Sequence, residues 1–91
     1  MAMTKHHHGR LLMAIDSALA GQWEDAHRVV QGIENVYASW IHAVLHRIEG
    51  DLWNARYWYR NAHRPFTEQD PRVELENIRA ELLRVSKDVE G

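Results

Sequence analysis

Apolar residues recur along this chain at spacings of three and four rather than two. No Asn-Gly, Asp-Gly or Gly-Gly dipeptide separates the periodic runs, so the pattern predicts an all-α fold. A first helix is expected over about residues 10–20, burying Leu11, Leu12, Ile15, Ala18 and Leu19, with Gly21 free to take the left-handed conformation that ends it. A second begins near Gln22 or Trp23 and carries Trp23, Ala26, Val29, Val30 and Ile33, loosening at Gly32. Asn35 can cap a third, whose stripe of Tyr37, Trp40, Ile41, Val44, Leu45 and Ile48 runs to Gly50. Asp51 can cap a fourth, through Leu52, Ala55, Tyr59 and Ala62, which Pro65 stops.

The stretch Arg64 to Asp70 reads as a linker, and Asp70-Pro71 reads as an N-cap followed by proline in the first helical position. The last helix is expected to reach about Asp88. Its Leu75, Ile78, Leu82, Val85 and Val89 form a seam suited to a groove or to pairing with a second copy. The predicted organisation is a disordered tail over residues 1–9 and one helical domain over 10–91. Two antiparallel hairpins occupy 10–64, and a capping helix occupies 71–89.

A chain of 91 residues is too short for two independent cores. Its 11 Lys plus Arg against 13 Asp plus Glu leave a net charge of −2, which gives no general drive toward nucleic acid or an anionic membrane. The absence of cysteine excludes disulfides, thiolate zinc sites, iron–sulfur clusters and cysteine nucleophiles, and is compatible with a reducing compartment. The apolar run Leu11 to Ile15 is shorter than a signal peptide needs and no run approaches a membrane span, so a cytoplasmic protein is expected. The tract His6-His7-His8 lies in a segment too polar to pack.

The chain also repeats itself. Gly21-Gln22-Trp23-Glu24-Asp25-Ala26 and Gly50-Asp51-Leu52-Trp53-Asn54-Ala55 occupy matching places 29 residues apart, each joining two helices at a glycine. After Gly50, the order Ala55, Tyr59, Ala62 resembles the second helix of the tetratricopeptide repeat, and Asn54 to Ala62 resembles its Sel1-type variant. Alanines would let the helices approach closely while the aromatic fills the wedge between them. The run His42 to Arg60 is also similar to stretches in a family of small bacterial proteins. The repeat resemblance, which covers about residues 10–65, implies two helical hairpins and, as its commonest use, protein or peptide binding.

One candidate surface lies on the fourth helix, where Trp53, Arg56, Tyr57, Arg60 and Arg64 share a face. Three arginines at i, i+4 spacing repel one another by about 0.2 to 0.5 kcal/mol per pair, so something acidic should offset them. An acidic partner fits, because arginine forks and aromatic faces dominate interface energetics. The competing expectation is that Glu74, Glu76 and Glu81 of the last helix cover this face from within the chain. Aromatic stacking on single-stranded nucleic acid is disfavoured, because neighbouring side chains diverge on a helix. Trp23, Trp40 and Trp58 read more economically as core.

The second constellation is His42 and His46 at i, i+4, the spacing that brings two imidazoles to one metal, followed by Glu49. Glu24 and His27 on the preceding helix could complete such a site. The competing expectation is a solvated face, because His42, His46 and Glu49 lie opposite the apolar centre of their helix. Ser17, Ser39 and Ser86 sit inside helices without a nucleophile elbow, and no phosphate-cradling loop occurs, so neither an enzyme nor a cofactor is expected. The preferred expectation is a protein- or peptide-binding module. The alternative is a metal-binding protein or metal-dependent hydrolase.

Overall fold

The computed structural model describes residues 2–90, with side chains described for residues 7–85. The fold is all-α, built from α1 (Ala2–Leu19), α2 (Trp23–Val30), α3 (Val36–Ile48), α4 (Leu52–Asn61) and α5 (Pro71–Glu90). No helix among the described residues is long and apolar enough to cross a membrane.

Polar side chains and left-handed residues set the helix boundaries. The Asn35 side chain accepts hydrogen bonds from the backbone N–H groups of Tyr37 and Ala38, and Asp51 accepts from that of Asn54, which satisfies donors that a helix start leaves unpaired. Asp70 accepts from the N–H of Arg72 at 2.8 Å, with Pro71 opening α5 as expected. Gly21 and Gly50 have φ values of 83° and 79°, and each sits where the chain reverses after a helix. The reversal after Gly50 sends the Asp51 N–H back to the His46 carbonyl at 2.8 Å, so the cap of α4 begins beside a histidine of α3. The chain turns after α4 in the same way, but there the left-handed residue is His63, with φ of 59°.

α3 is the hub. It packs along α4 and also touches α1, α2 and α5, and α5 lies across both α1 and α3. Eight consecutive residues, Ala38 through Leu45, are therefore buried. Ala26, Ala55 and Ala62 are buried, as small side chains that let neighbouring elements approach closely, and Tyr59 is buried on α4 against Glu74 and Phe66. Leu75, Ile78 and Leu82 are buried inside the chain, which takes up most of the expected α5 seam; the Val89 side chain lies outside the described residues.

Four expectations are corrected here. Residues 2–9 belong to α1 rather than to a disordered tail. His8 is buried and meets the Tyr37 ring edge-on at 6.4 Å, and its pKa is lowered by burial and then by the charge of His7. The side chains of residues 2–6, including His6, lie outside the described residues. Trp23 is not core but 43% exposed, because it opens α2 at the edge of the packing; Leu52 is likewise half-exposed in the first turn of α4. The solvated face predicted for His42 and His46 does not exist, because α2 and α4 cover that side of α3.

One buried polar network ties the hub to α5. Glu74 is 3% exposed and receives hydrogen bonds from Trp40 Nε1 at 2.8 Å, from the Tyr59 hydroxyl at 2.7 Å and from Arg47 Nη1 at 2.6 Å. Burial, and then the bond to Glu74, push the Tyr59 hydroxyl well above its ordinary pKa, so it remains a donor at neutral pH.

Candidate metal centre

The i, i+4 spacing of His42 and His46 on α3 places their rings nearly parallel, with centroids 5.0 Å apart and planes at 11°. His27 reaches them from α2, crossing His42 at 80° and His46 at 87°. One ring nitrogen from each of the three lies within 4.8 Å of the others, and His27 Nε2 is 2.7 Å from His42 Nε2. That short contact requires one nitrogen to donate and the other to accept. Trp58 of α4 stacks on the His42 ring, with centroids 3.9 Å apart and planes at 14°, so three helices build the site.

The electrostatics suit a ligand set. His42 is only 5% exposed, and its pKa is pushed down to about 3, first by burial and then by the charges of His27 and His46. At neutral pH it is an uncharged imidazole with a lone pair available for coordination. His46 Nδ1 is buried without a hydrogen-bond partner, although Asp51 Oδ2 at 3.6 Å and Glu49 Oε1 at 3.9 Å place negative charge near it. A carboxylate so placed would orient a ligating imidazole once the 3.6 Å separation closed to hydrogen-bond distance. Asp51 is held for this role by its bond from Asn54 Nδ2 at 2.6 Å, which is the main cause of its lowered pKa.

The dimensions can be tested against a metal. Nitrogens bound at about 2.0–2.1 Å around a tetrahedral ion stand about 3.3 Å apart. The His27–His42 pair, at 2.7 Å, must therefore open by roughly half an ångström, and any pair near the 4.8 Å limit must close by about 1.5 Å.

The expected sites map onto the structure unevenly. His42 and His46 converge as a metal site requires, and His27 joins them, whereas Glu24 is not part of the cluster among the described residues. Glu49 lies outside the ring-nitrogen cluster, but it lines a groove with Trp23, Glu24 and Asp25 at the α2–α3 edge. The face of Trp53, Arg56, Tyr57, Arg60 and Arg64 is divided. Arg64 pairs with Glu81 of α5 and lies over the Trp40 ring at 3.9 Å, as the covering expectation requires. Arg56 instead lies over the Phe66 ring at 4.1 Å, while Arg60 stays exposed. Glu76 pairs with Arg79 at 3.7 Å, and Glu74 turns inward. Sequence reasoning missed the Trp58 stack on His42 and the role of Asp51 beside His46. The signal for the second was Gly50, whose left-handed turn folds Asp51 back toward α3.

No family model, curated protein or solved structure matches the chain.

Proposed function

We propose that this protein binds a divalent transition-metal ion through His27, His42 and His46. The observation that carries this reading is the convergence of one ring nitrogen from each histidine to within 4.8 Å, in a site drawn from α2 and α3 and walled by Trp58. Three imidazole ligands favour Zn²⁺, Cu²⁺, Ni²⁺ or Co²⁺ over Mg²⁺ and Ca²⁺, which prefer oxygen ligands. With three protein ligands, a tetrahedral ion retains one position for water or an incoming ligand. The ion would also cross-link α2 to the hub helix, so binding and stability are linked.

The test is a titration of Co²⁺ and Zn²⁺ into protein carrying His6→Asn and His7→Asn, which removes competing imidazoles near the N-terminus. One ion per chain is expected, with a Co²⁺ visible spectrum of tetrahedral intensity. His27→Ala and His46→Ala should each weaken binding by at least tenfold while circular dichroism shows the fold retained. Stoichiometric binding that persists unchanged in both variants, or no binding at micromolar protein and metal, overturns the reading.

A further inference from the structure

Among the described residues, the most exposed large apolar side chain is on α4, where Trp53 is 79% exposed and Tyr57 46%. Arg56 and Arg60 are exposed on the same face. Among the described helices α4 packs extensively only against α3, so no other helix lies over this face. Tyr57 also turns one edge into a groove of about 570 Å³ that runs between α4 and the α2–α3 connection. Val30, Ile33, Val36 and Trp58 supply its apolar lining, with Ser39 and Asn61 among its polar residues.

The charges on this face are unbalanced. Arg56, Arg60 and Arg64 follow one another at i, i+4, an arrangement in which like charges repel. Arg64 is neutralised by Glu81. Neither Arg56 nor Arg60 forms an ion pair with a carboxylate among the described residues, whereas Arg28, Arg47 and Arg79 all do. The Phe66 ring holds Arg56 in place without offsetting its charge. Within the groove the single charged side chain is Glu34, which disfavours an acidic group deep in the cleft.

We infer that the groove beside Tyr57, together with Arg56 and Arg60, is a docking site for an acidic peptide segment of another protein. An apolar side chain of the peptide enters the groove, and its flanking carboxylates meet the two guanidinium groups, where bidentate bonds are strongest. Trp53, 79% exposed on the same face as the two arginines, is an aromatic anchor of the kind that dominates interface energetics. A nucleic acid or anionic membrane fits less well, because two unpaired arginines near a groove that carries Glu34, on a chain of net charge −2, make a poor polyanion surface. The site shares only Trp58 with the histidine cluster and does not depend on metal.

The experiment is selection of a display library of random dodecamer peptides on the full chain in EDTA, followed by anisotropy titration of the dominant peptide with and without Zn²⁺. The expected peptides carry Asp or Glu around one apolar residue. Arg56→Glu/Arg60→Glu should weaken binding at least tenfold with an unchanged circular dichroism spectrum, and replacing the acidic residues of the peptide by lysine should restore it. Enrichment of peptides without acidic residues, no enrichment, or affinity within twofold in the double variant each overturns the inference. Binding of a single-stranded oligonucleotide or of phosphatidylserine vesicles in place of peptide, lost in the same variant, also overturns it. Peptide binding without metal binding would leave this site standing and remove the metal reading alone.

Discussion

Replacing Arg47 by methionine isolates the element that holds the hub helix against α5. The Arg47 side chain is 8% exposed and that of Glu74 3%, so the substitution leaves a carboxylate buried without its counter-charge. Losing one partner of a buried pair costs about 3–5 kcal/mol. The lower end applies here, because Glu74 keeps its bonds from Trp40 Nε1 at 2.8 Å and the Tyr59 hydroxyl at 2.7 Å. About 3 kcal/mol is a large share of the roughly 5–15 kcal/mol that holds a domain folded, and in a chain this size lowers the Tm by about 12–24 °C. Urea unfolding followed by circular dichroism gives the number directly. The double variant Arg47→Met/Glu74→Gln removes the orphaned charge and should recover about 1–2 kcal/mol relative to Arg47→Met. An Arg47→Met protein within 1 kcal/mol of wild type, or a double variant less stable than the single, would refute the assignment of Glu74 as a buried charge neutralised by Arg47.

Three further outcomes are expected. Zn²⁺ at a hundredfold above its dissociation constant should stabilise the protein by about 2.7 kcal/mol, raising the Tm by roughly 10–20 °C in a fluorescence melt, with no shift in His27→Ala. In the metal-free protein, His42 titrates at about 3 when folded against an ordinary 6.5, so it binds fewer protons in the folded state. Its contribution is complete above about pH 6.5 and declines as the pH falls toward 3; by pH 4.5 the loss is on the order of 2–3 kcal/mol. Urea midpoints at pH 7 and 4.5 should therefore differ more in wild type than in His42→Phe, and equal differences would contradict the burial of a neutral imidazole. Finally, His63 ends α4 at φ of 59°, where a side chain is strained, so His63→Gly should raise stability by about 0.5–1 kcal/mol in the same assay.

The helices were legible because their punctuation is local. Asn35, Asp51 and Asp70 accept the backbone bonds that their residue types and positions predict, and Gly21 and Gly50 take the left-handed turns expected of them. Each of those outcomes depends on residues within one helical turn. The burial of Glu74 was not legible, because an acidic residue beside an apolar seam has the pattern of a solvated flank. Its partners Arg47, Trp40 and Tyr59 lie 27, 34 and 15 residues away. Trp23 failed for the opposite reason: its apolar character suited a core, but its place in the first turn of α2 put it at the edge.

The histidines show where angular reasoning on one helix stops. Placing His42 and His46 opposite the apolar centre of α3 was geometrically sound, but an angle around one axis says nothing about what other helices bring to the far side. The run Ala38-Ser39-Trp40-Ile41-His42-Ala43-Val44-Leu45 contained the missing information, since it carries no Asp, Glu, Lys or Arg on any side and every member is buried. A helix with no permanently charged side chain over two turns has no face intended for water. The histidines within such a helix must then meet polar partners from its neighbours or remain uncharged. His42 does both: it stays neutral against Trp58 and meets the Nε2 of His27 at 2.7 Å. A metal would satisfy all three imidazoles at once, replacing a single hydrogen bond between two of them with three coordinate bonds to a common ion.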